Sequence, residues 1–395
     1  MDLLTINQLE LEGKRVLLRA DFNVPFFRID RIPTEADISD DFRIRSAVPT
    51  IKLIIERGGI PIILAHLGRP KGKELSLSLV PVAGRLSRLL GQNVIFSEDC
   101  IGVRVKELCA ELKKGDVVLL ENIRFHEGEE NNNTGFAKEL ASLGDVYINE
   151  AFGDVHRAHA SIVGLPALLP HAAGPLMIRE IEALSRLKDN PARPLVAVMG
   201  GAKISTKIDF LEKFLPWVDS LLLGGALAST LVKAQGYNIG KSFAEESMLE
   251  RVNTFDFKSP KVHMPSDVIV AKEASPIAKT EVRKINEIRD DESIFDIGPE
   301  TRKIFTKIIG ESRTVFWNGP MGMHEIPSFA KGTETVAEAV ALSEAFSVVG
   351  GGDTTVIIER LYLDHYIEFI STGGGAMLEF LCGQKLPGLL ALAKK

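Results

Sequence analysis

The chain has 395 residues, 45% hydrophobic and 25% charged, the mixture of a folded protein with room for two domains. A net charge of −6 argues against nucleic acid or an anionic membrane as the main partner. Cys100, Cys109 and Cys382 are too few and too scattered for a disulfide framework or a Cys-x-x-Cys zinc site, and they fit a reducing compartment. The N-terminus starts acidic and lacks the basic region and apolar run of a signal peptide. No apolar stretch approaches the ~18 residues of a membrane span, so a soluble cytoplasmic protein is expected.

In chain order, short apolar runs predict strands at 15–20, 60–65, 93–96, 117–120 and 146–148. Others follow at 195–199, 220–223, 268–271, 314–317, 346–349 and 368–370. The runs are continuous rather than alternating, as in strands covered on both faces. Helical spacing separates them at 50–57 after Pro49, at 81–90 with Ser78 as cap, and at 205–215, 226–234 and 333–343. Alternating strand and helix predicts α/β architecture: two Rossmann-like α/β/α domains with parallel sheets and right-handed crossovers. The breaker-rich LPHAAGP and DNPARP bracket a helical IREIEALSRL. That places an interdomain helix and linker at 173–193, between a first domain at 1–172 and a second at 194–372.

Ligands of open parallel sheets bind beyond the carboxyl ends of the strands. In the first domain those segments read DFNVP, HLGRP, ENIRFH and FGDVHRAH. Arg69, Arg124 and Arg157 follow three different strands, and Arg43 stands just before a helix. With Asp21, Asn23, His66 and His156 they would share one rim. A single arginine is most often a solvated surface residue; four at equivalent topological positions are not. Arginine and histidine with little acid in reach form a receptor for a small polyanion, such as a phosphate ester with a carboxylate.

The second domain carries GGAK, LGGA, NGPMG, GGGDT and STGGG at its strand ends. Glycines allow close backbone approach, and helix N-termini favour anions. Lys203 and Lys207, at i and i+4, would project from one helix face and hold two phosphoryl groups. Asp353 is the candidate for Mg²⁺, although a helix cap is an equally good reading of it alone. GYNIGKS misses the Walker A spacing by one residue, and no G-x-G-x-x-G follows the first strand. His156 and His159 lack zinc-site company, and no G-x-S-x-G nucleophile elbow is present.

Taken together, R-x-DFNVP, RI-x-x-x-PTI, HLGRPKG, ENIRFHEGEE, AFG-x-x-HRAHAS, GGAKIS-x-KI, DIGP-x-T, WNGPMG, GGGDT and STGGGA resemble the phosphoglycerate kinase family, in the family's order and across nearly the whole chain. The resemblance implies two α/β/α domains facing each other across a cleft, with 373–395 packing back on the first. It implies reversible, Mg²⁺-dependent phosphoryl transfer from 1,3-bisphosphoglycerate to ADP, giving 3-phosphoglycerate and ATP in glycolysis, in a monomer. Asp21, Asn23, Arg43, His66, Arg69, Arg124 and Arg157 would hold the triose. Lys203, Lys207, Asn318, Glu325, Gly352, Asp353 and Thr354 would contact the nucleotide or its metal, with Gly201 and Gly224 on the adenine side. Gly373 and Gly374 would offer N–H groups to the phosphoryl group in flight, beside Arg43, Lys203 and Lys207.

The sequence departs from the family at three places. The 25–41 loop lacks a short glycine-containing turn, Leu223 stands where a third glycine is usual, and Met323-His324 replaces Val-Phe before Glu325. In the expected reaction neither nucleophile carries a proton, so no general base is needed; catalysis is alignment and charge stabilisation, with hinges at the interdomain helix and Ser371–Thr372. The alternatives are a NAD-type oxidoreductase, disfavoured by the missing glycine fingerprint, and a non-catalytic two-lobe anion-binding protein, which would not need Lys203, Lys207 and Asp353.

Overall fold

Apolar runs too short and too uniform for amphipathic helices pair side by side in two parallel sheets. The structure, a computed structural model, describes residues 2–28 and 31–394. Residues 29 and 30 of the 25–41 loop therefore lie outside the described residues.

The first sheet comprises β1 (Arg15–Arg19), β2 (Ile60–Leu64), β3 (Ile95–Ser97), β4 (Val118–Leu120), β5 (Val146–Asn149) and β6 (His171–Ala173), in the order β3-β4-β2-β1-β5-β6, all parallel. Val16, Leu18, Ile63, Leu119 and Ile148 form its buried centre, covered by Ile44, Ile51 and Ile54 of one helix and Val82 and Leu86 of another. This unit runs to Glu182 and takes in the chain again from Gly375. Its final helix, Pro387–Leu392, buries Leu389 and Leu392, and the Gly388 N–H donates to the Val155 carbonyl at 2.8 Å.

The second unit, Ala183–Gly374, holds β7 (Leu195–Met199), β8 (Ser220–Leu223), β9 (Val262–His263), β10 (Asp267–Ala271), β11 (Glu281–Lys284), β12 (Ser293–Ile297), β13 (Thr314–Asn318), β14 (Phe346–Gly350) and β15 (Phe369–Ser371). Six of these form a second parallel sheet, β15-β14-β13-β7-β8-β9. The protein is thus α/β, with two six-stranded parallel sheets.

Four expectations need correction. The run at 268–271 is not in the parallel sheet: β11-β10-β12 form a separate antiparallel sheet. The link 272–280 between β10 and β11 is shorter than the dozen or so residues that a parallel crossover requires, so the two strands pair antiparallel. The helix expected from residue 50 begins at Phe42 and carries Pro49 inside it, spanning Phe42–Glu56. An internal proline costs ~3 kcal/mol, but Ile44, Ile51 and Ile54 are fully buried on one face at roughly 2 kcal/mol each.

Leu79 rather than Ser78 takes the N-cap position of the helix Val80–Leu90, although Ser78 Oγ accepts the Val80 N–H at 3.3 Å; the Ser78 hydroxyl is donated to Glu121 Oε2 at 2.7 Å. The helix expected from residue 205 starts only at Ile208 and spans Ile208–Phe214. Ser205 is drawn aside instead, its N–H and hydroxyl donating to the Glu245 carboxylate at 2.9 and 2.7 Å. Short polar strands (β9, β11) and β6 and β12 gave no sufficiently apolar run to be read from the sequence.

Candidate active site

In the first unit β1 ends in register with its neighbours, Arg19 lying opposite Leu64 and Asn149. The segments that follow these strands therefore emerge on one rim. Arg19 itself, the last residue of β1, is fully buried. Its Nη2 donates to Asp154 Oδ2 at 2.9 Å, its Nε to Ser161 Oγ at 2.9 Å, and its Nη1 to the Ala20 carbonyl. His66 Nδ1 lies 3.1 Å from Arg19 Nη2 and 3.3 Å from Asp154 Oδ2. Arg124 Nη2 reaches the other oxygen of Asp154 at 3.5 Å, while its Nη1 donates to the Gly68 carbonyl at 2.9 Å.

Arg43 stands in the first turn of its helix rather than before it, and its Nη1 donates to Asp21 Oδ2 at 2.7 Å. Asn23 Oδ1 accepts from the Gly68 N–H at 2.8 Å, tying the loop after β1 to the loop after β2. Asp21, Asn23, Arg43, His66 and Arg124 are thus linked directly or through Asp154 and Gly68. Arg157 is half-buried, its N–H on the Asp154 carbonyl at 3.0 Å, and its charge acts on Arg124. Arg69 is exposed, and no hydrogen bond or ion pair joins it to this group among the described residues.

The expectation of little acid in reach was incorrect. Burial alone would raise Asp154, yet His66, Arg19 and Arg124 prevail and hold its carboxyl well below the usual range. Burial lowers the His66 imidazole against the pull of Asp154. Arg19 and Arg157 both act on Arg124, while Asp154, Glu129, Asp21 and Glu130 face the same guanidiniums, so acid and base are interleaved along this rim. Arg124 Nε and His156 Nδ1 are buried without a hydrogen-bond partner, although Glu130 Oε1 stands 3.5 Å from Arg124 Nε. Sequence reasoning missed Arg19, Asp154, Ser161 and Glu129, whose carboxylate accepts from Ser161 N–H and Oγ at 2.9 and 2.6 Å. The available signal was a charged residue closing an otherwise apolar strand.

In the second unit Asn318 lies opposite Met199 and Gly350, and Met199 opposite Leu223. The glycine segments therefore also share a rim. A side chain at Gly200 would collide with the Pro320 carbonyl, and Gly201 has φ +94°, which explains this glycine pair. Lys207 lies at the N-cap of its helix, its Nζ donating to the carbonyls of Gly200 and Asn318 at 2.6 and 3.3 Å. Burial pushes its pKa down to about 8, with Asp353 acting in the opposite sense.

Asn318 Nδ2 donates to the Gly350 carbonyl at 2.9 Å, and Thr354 Oγ1 accepts from the Gly319 N–H at 2.9 Å. These two side chains hold the rim's backbone in place. A cavity of about 380 Å³ opens beside it, lined by Gly201, Gly225, Met321, Glu325 and Asp353 among others. Asp353 is exposed at the second position of the helix Gly352–Arg360, capped by Gly351, so the reading of Asp353 as the cap is incorrect. Its carboxylate has no hydrogen-bond or ion-pair partner among the described residues. A free hard oxygen donor beside a cavity and a lysine fits Mg²⁺, which is commonly bound by one carboxylate together with phosphate oxygens.

Some expected partners are not brought together. Lys203 is exposed in a loop, so it and Lys207 do not share a helix face. Gly224 precedes the helix Gly225–Ala234, and Gly225 rather than Gly224 lines the cavity. The Gly373 N–H is donated to Ser371 Oγ at 3.0 Å, whereas Gly374 opens the helix Gly374–Leu381, in whose first turn N–H groups lack intrahelical acceptors. Asp296 lines the cavity unforeseen. Burial pushes its carboxyl up to about 7 although it accepts from Gly332 N–H at 2.6 Å and Ile297 N–H at 2.9 Å.

A guanidinium rim on one parallel sheet and a glycine, lysine and aspartate rim on another define an α/β protein built for anionic, phosphate-bearing ligands. The family model described as phosphoglycerate kinase matches residues 6–384. The chain is 47% identical over 397 aligned residues to the phosphoglycerate kinase of Moorella thermoacetica, covering 99% of each. It is 46% identical to that of Chloroherpeton thalassium, covering 98% of each. Among solved structures, phosphoglycerate kinase from Coxiella burnetii matches with TM-score 0.81 and 43% identity, over 99% of this chain and 98% of that one. The enzyme from Pyrococcus horikoshii matches with TM-score 0.88 and 33% identity, over 98% of each. The chain belongs to the phosphoglycerate kinase family and is a kinase, a phosphotransferase of glycolysis.

Proposed function

We propose that the first unit binds 3-phosphoglycerate or 1,3-bisphosphoglycerate, that the second binds Mg-ADP or Mg-ATP, and that the phosphoryl group passes between them. The observation that carries this reading is Lys207: an ammonium set on two backbone carbonyls, beside a cavity and the unpaired carboxylate of Asp353. An anion sensor has no need of that combination.

In the forward direction the bond between phosphorus and the acyl oxygen breaks, and a terminal oxygen of ADP forms the new bond. The carboxylate leaves without a proton, so no side chain must act as base. The chain's task is to align the groups and to stabilise charge on the equatorial oxygens. Arg124, Arg157, His66 and Asn23 fix the triose, with Arg69 joining from the loop after β2. Arg43, freed from Asp21, turns to the transferring group, and Lys203, the Gly374 N–H and the Gly373 N–H, once released from Ser371 Oγ, do the same from the nucleotide side. Lys207 holds phosphate oxygens, Glu325 the ribose, and Asn318 and Thr354 the backbone beneath, with Gly201, Gly224 and Gly352 allowing close approach. Mg²⁺ held by Asp353 would neutralise phosphate charge.

Transfer requires the two ligands in line, with water excluded from the acyl phosphate. The chain passes between units inside the helices Pro175–Asp189 and Gly374–Leu381. These are the places where bending would act, together with Ser371–Thr372. The same reading makes the enzyme a cytoplasmic monomer acting on small molecules. The buried thiols of Cys100 and Cys109 fit a reducing compartment, and no described helix is long and apolar enough to cross a membrane. A coupled assay tests the proposal: ATP must form from ADP and 1,3-bisphosphoglycerate when Mg²⁺ is present. No ATP formation by folded protein would refute it.

A further inference from the structure

We propose that Asp99, Cys100 and His126 form a binding site for a borderline-soft divalent cation of the zinc class, separate from the phosphoryl-transfer site. One oxygen, one sulfur and one ring nitrogen from these side chains all lie within 4.8 Å of one another. Adjacent strands supply them: Asp99 and Cys100 follow β3, and His126 follows β4, its parallel neighbour. Magnesium takes oxygen donors; a set of thiolate, imidazole and carboxylate suits zinc or cobalt. Burial pushes the Cys100 thiol up, and the neighbouring carboxylates of Asp99, Glu129 and Glu121 push it further the same way, so the sulfur keeps its proton until an incoming cation displaces it.

The frame is already ordered. Asp99 Oδ1 accepts the Cys100 N–H at 2.7 Å, and Ser97 Oγ donates to the Asp99 carbonyl at 2.9 Å. The His126 ring packs on Phe136 with centroids 5.5 Å apart. Cys100 is 1% exposed, a buried anchor. The His126 and Asp99 side chains are 31% and 48% exposed, which leaves a solvent side for entry and for a water as fourth ligand.

Asp99 Oδ1 and His126 Nε2 lie 2.7 Å apart, sharing a proton. In a tetrahedral site with bonds near 2.0 Å they would stand about 3.3 Å apart, a small opening for two partly exposed side chains. Binding forms metal–sulfur, metal–nitrogen and metal–oxygen bonds. The thiol proton leaves to the buffer, and the proton between His126 Nε2 and Asp99 Oδ1 is replaced by one on Nδ1, so the neutral imidazole ligates through Nε2. The ion would clamp the loop after β3 to the turn that carries Arg124, two residues before His126.

Cobalt(II) titrated into the full chain tests the site. One equivalent should produce a thiolate-to-cobalt charge-transfer band in the near ultraviolet, bleached by zinc and unaffected by excess magnesium. Cys100→Ser should abolish the band, and Cys109→Ser should leave it. Because Cys100 is buried, His126→Gln at a partly exposed position gives an independent check and should weaken cobalt binding roughly tenfold or more. Absence of the band in the wild-type chain, or binding undiminished in His126→Gln, would overturn the proposal.

Discussion

Arg19 donates to Asp154 at 2.9 Å with 0% and 4% of the two side chains exposed, so a fully buried charged pair stands beside the anion rim of the first unit. Asp154 also faces His66 and Arg124. One carboxylate thus sets the position of two side chains proposed to hold the triose.

Asp154→Ala should therefore act twice. It removes the carboxylate in direct contact with buried Arg19, leaving only the more distant Glu129 and Asp21, a loss of about 3–5 kcal/mol for breaking such a pair. It should also raise KM for 3-phosphoglycerate while leaving KM for ATP unchanged. Urea denaturation and steady-state kinetics read the two effects separately. Asp154 titrates below its unfolded value of about 3.9, so its stabilisation is complete above that pH and is lost as acid protonates it.

The parallel sheets were legible because their strands are short, apolar and followed by distinctive polar or glycine segments. The arginine rim could be read for the same reason: Arg124 and Arg157 follow strands whose ends lie together. What could not be read depended on distant partners. Arg19 looks like the edge of a strand until Asp154 and Ser161, more than a hundred residues away, are placed beside it. Lys203 and Lys207 have helical spacing, but Glu245 captures Ser205 between them and delays the helix. Pro49 signals a helix start, yet packing of Ile44 and Ile51 carries the helix through it.

Lys207→Met should raise KM for ADP at least ~10-fold, the loss expected on removing a charged hydrogen-bond donor worth ~1.5–3 kcal/mol, with KM for 3-phosphoglycerate unchanged. Its pKa of about 8 in the free protein means that the ammonium is lost as pH rises through 8. ADP binding should weaken above that pH in the wild type, and the variant should not show this dependence. Calorimetry at pH 7 and 9 checks it.

Asp296 has the opposite sign to Asp154. Its folded pKa of about 7 exceeds the unfolded ~3.9, so the folded state holds the proton more tightly and stability falls as pH rises from about 4 to 7. The full difference is of order 4 kcal/mol. Asp296→Asn should remove this slope from the urea midpoint of the second unit even if it lowers stability overall. Identical pH profiles in both proteins would exclude the assignment.

Arg43→Ala should lower kcat about 10²-fold, the order expected for losing one transition-state donor. Nucleotide affinity should change little. Wild-type turnover in the variant would remove Arg43 from the mechanism and leave it as the partner of Asp21.

Calorimetry of the full chain with two single variants tests most directly the division of labour between the two rims. Arg124→Ala should lose 3-phosphoglycerate binding and keep Mg-ADP, whereas Lys207→Met should lose Mg-ADP and keep 3-phosphoglycerate. If both variants are folded and either one loses the other's ligand instead, the two sites have been assigned to the wrong units.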